Sequence, residues 1–165
     1  MNLLRTFMTA GCLALAINAS GLEVGQPAPP LALPDTAGKP VNLDDFRGKV
    51  VYVDFWASWC GPCRHSFPWM NEMHDKYGPQ GFAVLGVNLD EEASDAAGFL
   101  AKVPARFPIV YDKTGQTPTA YGVKGMPTSV LVGRDGKVLF QHIGFTKAGS
   151  AGLEEAIAAA VSAAP

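Results

Sequence analysis

The sequence predicts an α/β domain on a mixed, mainly parallel sheet, and three observations predict it. Two continuous runs, Val50–Trp56 and Phe82–Asn88, are apolar enough to read as strands buried on both faces. Helical patterns follow each of them, so strand, helix, strand, helix alternate as in parallel crossover units. Near the C-terminus two further strand patterns meet across Asp135-Gly136, a favoured turn pair, which adds antiparallel pairing to the sheet.

In chain order, Pro27, Pro29, Pro30 and Pro34 forbid a helix over 22–34 and suggest an extended lead into a short hairpin. Asp35-Thr36-Ala37-Gly38 is its turn, and Val41-Asn42-Leu43 its return strand. After the first buried strand, a helix starting at Cys60 would set Cys63, Ser66, Met70, Met73 and Tyr77 on one stripe, with a kink at Pro68 and an end at Gly78-Pro79. After the second, Asp90-Glu91-Glu92 leads into a short amphipathic helix carrying Phe99 and Leu100, then a strand at Phe107–Tyr111. One or two helical turns follow between Gly115 and Tyr121. The hairpin pairs Thr128–Val132 with Lys137–Ile143, and a last helix presents Leu153, Ile157 and Val161 to the sheet.

The ends and the charge balance bound the function. Residues 1–21 form one unit, a signal peptide or N-terminal anchor, and 22–165 the folded domain. Arg5 precedes an apolar stretch from Thr6 to Ala19, and Ala19-Ser20-Gly21 suits a signal peptidase. That stretch is short for a membrane span. Export to the periplasm or another extracytoplasmic space is expected, with a membrane-anchored form as the alternative. Removing residues 1–21 takes away one basic residue, Arg5, so 12 of the 13 basic residues remain against 15 acidic, a net charge of −3. That balance implies no nucleic-acid partner.

The chemistry concentrates in Trp59-Cys60-Gly61-Pro62-Cys63, which follows directly on the first buried strand. A C-x-x-C pair at a strand-to-helix junction suits dithiol-disulfide exchange. The helix start aims unpaired amides and the positive dipole end at the first sulfur and favours its thiolate, so Cys60 is the expected nucleophile. The chain has three cysteines and three histidines. Cys12 lies in the leader, and His65, His74 and His142 form no ligand pair, so a tetrahedral zinc site lacks ligands. His65 reads as an exposed helix residue.

Three motifs in order resemble the thioredoxin superfamily, and within it the exported TlpA/ResA-like thiol-disulfide oxidoreductases, which are related to the AhpC/TSA redoxin group. They are Val53-Asp54-Phe55-Trp56-Ala57-Ser58-Trp59-Cys60-Gly61-Pro62-Cys63-Arg64, Phe107-Pro108-Ile109-Val110-Tyr111-Asp112, and Gly125-Met126-Pro127-Thr128 with its hairpin. The resemblance implies a thioredoxin-like three-layer fold with an N-terminal β-hairpin and an inserted helix-strand segment around Ala93 to Asp112. It implies a cis Pro127 beside the dithiol, with the Met126 backbone open to an extended client segment. Two departures stand out. Ser66 replaces a glutamate found in many such proteins, and Asp54 matches the buried aspartate of thioredoxin itself. Flanked by Val53 and Phe55, Asp54 should have a pKa raised by desolvation and take the proton of Cys63. Gly86 stands where thioredoxin has a lysine.

The expected activity is protein-disulfide reduction, with the Cys60-Cys63 pair as the redox group and no separate cofactor. Cys60, Cys63, Asp54 and Pro127 are the catalytic candidates. Trp59, Gly61, Pro62, Met126 and Thr128 are the client-binding candidates, with Phe145 also shaping the surface, and Trp56 is expected to pack. Gly61-Pro62 leans toward a reductant, which in an oxidising compartment implies a membrane thiol electron-relay protein as partner. Clients could include cytochrome c apoprotein or an oxidase copper-site cysteine pair, and a monomer is the default. Two alternatives carry different signatures. A peroxiredoxin-type peroxidase needs P-x-x-x-[ST]-x-x-C, which is missing upstream of Cys60. A copper-handling factor would use the soft thiolates for Cu(I), but core packing explains the spacing of Met70 and Met73.

Overall fold

The computed structural model describes residues 22–163, and the leader expected at 1–21 lies outside them. A hairpin of β1 (Ala32–Pro34) and β2 (Pro40–Asn42) comes first, turned by Asp35, whose backbone carbonyl accepts from Gly38. A 3-10 turn at Leu43–Phe46 leads to β3 (Val50–Trp56), α1 (Cys63–Tyr77), β4 (Phe82–Asn88), α2 (Ala93–Leu100), β5 (Ile109–Tyr111) and α3 (Gln116–Ala120). The chain closes with β6 (Thr128–Val132), β7 (Val138–Ile143) and α4 (Ser150–Ser162).

The large sheet runs β5-β4-β3-β6-β7, with β3, β4 and β5 parallel and β6 and β7 antiparallel. All seven residues of β3 are buried, as are all seven of β4, because α1, α2 and α4 cover one face, and the N-terminal hairpin segment together with Tyr121 at the end of α3 covers the other. Alternation along β3 sends Val50, Tyr52 and Trp56 into a cluster with Phe67 and Met70 of α1, Phe99 of α2 and Ile157 of α4. Val51, Val53 and Phe55 point the other way, toward Leu31, Val130 and Tyr121. These layers fix the C-terminal end of β3, where the dithiol loop departs.

Packing under that loop is aromatic. The Phe67 ring lies 4.8 Å from Trp56 and 5.0 Å from Phe99, centroid to centroid. Truncating Phe67 to alanine would cost about 3–5 kcal/mol by loss of burial and the cavity left behind.

Several expected boundaries shift for local reasons. Regular helix starts at Cys63, not Cys60: the Cys60 amide closes a turn onto the Ala57 carbonyl (3.1 Å), and the first helical bonds run from the Arg64 and His65 amides to the Gly61 and Pro62 carbonyls (3.1 and 3.0 Å). Pro68 does not interrupt α1, which continues to Tyr77. Pro108 has no N–H for a ladder, so β5 begins at Ile109, while the Pro108 carbonyl still accepts from Gly86. The β6–β7 turn spans Gly133 to Gly136, closed by Gly136 N–H donating to Gly133 O, and a bulge offsets the register at Leu131/Val132.

Candidate active site

The loop from β3 to α1 is held from below. Asp90, 4% exposed and two residues past the end of β4, accepts from the Ser58 hydroxyl at Oδ1 (2.9 Å) and from the Ser58 amide at Oδ2 (2.9 Å), and Asn88 Nδ2 donates to that same Oδ2 (2.8 Å). This clamp fixes the backbone two residues before Cys60. Cys60 and Cys63 are joined as a disulfide with their Cα atoms 5.3 Å apart. The Cys63 amide, first in α1, donates to Cys60 Sγ at 3.2 Å. The helix therefore supplies at the first sulfur the stabilisation expected of its N-terminus, although it begins three residues later than the spacing predicts.

Burial separates the two sulfurs. Cys63 is wholly buried, whereas Cys60 retains 4% exposure at a groove lined by Trp59, Gly61, Leu89, Lys124 and Met126. Trp59 is 70% exposed and stands beside Cys60 as an apolar surface for a client to meet. The Met126–Pro127 peptide is cis, Pro127 is buried, and its carbonyl accepts from the Gly144 amide at 2.7 Å. Met126 packs at the edge of the cluster that holds both cysteines.

Asp54 lies on the same face of β3 as Tyr52 and Trp56, the face covered by α1. It is 1% exposed. Ser129 Oγ, directly opposite on β6, donates to Oδ1 at 2.7 Å, and Oδ2 has no hydrogen-bond partner among the described residues. Burial pushes the Asp54 carboxyl up to about 7, against the Ser129 hydrogen bond, which pulls it down. The group is therefore poised between acid and base near neutral pH. Burial also drives the Tyr52 hydroxyl far above its ordinary range, with the Asp54 charge adding to it.

The structure brings Cys60, Cys63, Trp59, Gly61, Pro62, Met126 and Pro127 to one end of the sheet, with Asp54 in the core on the face that α1 covers. Thr128 is the exception among the client-binding candidates. Its side chain is wholly buried and its hydroxyl donates to Gly125 O at 2.6 Å, so it braces the Met126–Pro127 turn from inside and offers no surface to a client. The reason is register: Thr128 already belongs to β6, opposite Phe55. Trp56 is wholly buried, and His65 is exposed. Ser66 is buried and donates to the Cys63 carbonyl at 3.1 Å. Phe145 packs against Trp69 in a tilted contact, with centroids 5.5 Å apart, beside the exposed His65 edge of α1.

Gly86 has a steric reason. A Cβ there would stand 2.6 Å from Ile109 Cδ1 and 3.2 Å from both Phe107 Cε2 and Trp56 Nε1. Sequence reasoning missed Ser129 and the Ser58–Asn88–Asp90 clamp. The signal for Ser129 was a lone hydroxyl within Thr128-Ser129-Val130-Leu131-Val132, because a polar group in a buried strand needs a partner. Asp90 was hidden in an acidic run that reads as a solvated helix start.

The Redoxin family profile matches residues 23–161. The thiol-disulfide oxidoreductase ResA of Bacillus thuringiensis is 38% identical over 118 residues, covering 72% of this chain and 68% of its own. ResA of Bacillus subtilis is 33% identical over 148 residues, 82% of this chain and 83% of its own. Among solved structures, a provisionally assigned thiol:disulfide interchange protein DsbE from Chlorobium tepidum superposes with a TM-score of 0.84. It is 57% identical and covers 86% of this chain and all of its own. With a C-x-x-C disulfide on this fold, the chain belongs to the Redoxin family and, within the thioredoxin superfamily, to the TlpA/ResA-like thiol-disulfide oxidoreductases.

Proposed function

We propose that this protein is an exported reductase of client-protein disulfides, with Cys60 as nucleophile and Cys63 as resolving thiol. The observation that carries the reading is the asymmetry of the pair. Cys60 sits at the groove with a helix amide on its sulfur, and Cys63 is sealed beneath it. In the reductive direction, the Cys60 thiolate attacks one sulfur of a client disulfide. A Cys60–client S–S bond forms, the client S–S bond breaks, and the other client sulfur leaves as thiolate. Cys63 then gives its proton to Asp54, and its thiolate attacks Cys60 Sγ. The Cys60–Cys63 bond forms and the first client sulfur leaves as thiolate. Two electrons have passed from the dithiol to the client, and the Asp54 proton returns to a leaving thiolate or to water.

Trp59 and Met126 would hold the client segment over Gly61-Pro62, with the Met126 backbone pairing to it next to Pro127. The redox group is the cysteine pair itself, and no separate cofactor enters the cycle. Residues 1–21 carry the export reading, and an oxidising compartment then requires a membrane thiol electron-relay protein to restore the dithiol. No helix among the described residues is long and apolar enough to cross a membrane. The protein is taken to act as a monomer.

Equilibration of the pair against dithiothreitol or glutathione tests the direction. A reduction potential near about −270 mV is expected, and one near about −120 mV would make the protein a disulfide donor instead.

A further inference from the structure

The reading of Asp54 as proton acceptor leaves open which of its two oxygens acts and what selects it. Both lie in a fully buried site, and the two are not equivalent. Oδ1 accepts from Ser129 Oγ at 2.7 Å, whereas Oδ2 is buried without a partner. Ser129 is itself 2% exposed and is fixed by register, since Asp54 and Ser129 are paired across β3 and β6. A buried carboxylate oxygen without a donor is costly, and among the described residues the one hydroxyl bonded to this carboxylate is spent on the other oxygen.

We propose that Ser129 is a positioning residue for the exchange reaction: its hydroxyl holds Oδ1 of Asp54 and so presents Oδ2 as the oxygen that exchanges a proton with Cys63. The inference rests on the assignment of Asp54 as proton acceptor. It adds a fixed rotamer and a fixed choice of oxygen to that assignment. The step is a proton transfer alone: the Cys63 S–H bond breaks, the Asp54 Oδ2–H bond forms, and the electron pair stays on sulfur for attack on Cys60.

Ser129 also tunes the acid. Its hydrogen bond favours the carboxylate and works against the burial that raises Asp54. The other titratable groups on this face are few. They are Tyr52 on β3 itself, Cys60 just before α1, Cys63 and Tyr77 on α1, Tyr111 on β5 and, one strand beyond Ser129, His142, which pairs with Ser129 across β6 and β7. On the β4 side the partner of Asp54 is Gly86, which carries no group at all.

The test is the titration of the Asp54 carboxyl carbon by NMR in the oxidised full-length protein, together with the pH profile for single-turnover reduction of a disulfide peptide by the reduced protein. Ser129→Ala should raise the Asp54 midpoint by about one pH unit and move the kinetic midpoint with it. Ser129→Thr, which keeps a hydroxyl, should restore both. A structural role alone would lower the melting temperature and leave the midpoints in place, and that result overturns the proposal. Equal shifts in the alanine and threonine variants overturn it as well. Ser129→Val provides a second hydroxyl-free variant should Ser129→Ala not fold. Asp54→Asn separates the two failures. If it leaves peptide reduction unchanged at every pH, the assignment of Asp54 as acceptor fails. If it slows reduction while Ser129→Ala moves nothing, only the role of Ser129 fails.

Discussion

Asp54→Asn should change the stability of the protein by an amount that depends steeply on pH. Folding raises the Asp54 carboxyl from its ordinary 3.8 to about 7, first through burial. The folded state therefore holds this proton more tightly than the unfolded chain does. Its contribution is complete below about 3.8, shrinks as the pH rises, and is lost once the pH has passed about 7. At 1.36 kcal/mol for each pH unit, the span corresponds to roughly 4 kcal/mol. The asparagine variant has no such titration. Its amide can still accept from Ser129, but it leaves an N–H where Oδ2 is unpartnered, a cost of about 1–3 kcal/mol that does not vary with pH. The useful quantity is therefore the change in the difference between the two proteins. Guanidinium unfolding of the oxidised forms, followed by far-UV circular dichroism at pH 4 and pH 8.5, measures it. The variant should gain roughly 4 kcal/mol relative to the parent between those two values, because the other titrating groups are common to both. A difference that stays constant to within about 1 kcal/mol would refute the claim that Asp54 is buried with a raised pKa.

Two further substitutions probe the frame around the dithiol. Gly86→Ala places a Cβ against Ile109, Phe107 and the Trp56 indole at 2.6–3.2 Å, and should destabilise by about 1–3 kcal/mol in thermal unfolding. An unchanged melting temperature would mean that the aromatic cluster yields more easily than its packing indicates. Asp90→Ala removes the acceptor for the Ser58 amide and hydroxyl and for Asn88, so amide exchange at Ser58 and Trp59 should speed up and peptide reduction should slow. Unaltered exchange at those amides would show that the loop does not depend on the clamp.

Much of this architecture was legible in the sequence because strong local signals agreed with the packing. Val50–Trp56 and Phe82–Asn88 were readable as buried strands, since the apolar pattern is broken only at Asp54, Gly86 and Asn88 and no helix period competes with it. The stripe Cys63, Ser66, Met70, Met73 and Tyr77 is buried as its spacing requires. The misplaced start of α1 has a clear cause. C-x-x-C spacing does not reveal that the first helical bonds run to the Gly61 and Pro62 carbonyls, which sets the start of regular helix at Cys63. Thr128 was mistaken for a surface residue because proximity to Pro127 in sequence says nothing about which face a strand residue presents. Ser129 and Asp90 were invisible for a related reason. Their partners, Asp54 and Ser58, lie 75 and 32 residues away, and only strand register brings them together.

The central claim is a division of labour in which Cys60 attacks and Cys63 resolves, and trapping the intermediate tests it most directly. The reduced Cys63→Ser protein, mixed with a disulfide-bonded peptide, should accumulate a covalent Cys60–peptide adduct visible by intact mass spectrometry under non-reducing conditions. With Cys12 replaced by serine in both proteins, reduced Cys60→Ser should form little or none, because Cys63, its remaining thiol, is buried. An adduct that accumulates on Cys63 in the Cys60→Ser protein, with none in the Cys63→Ser protein, would reverse the roles and contradict this account.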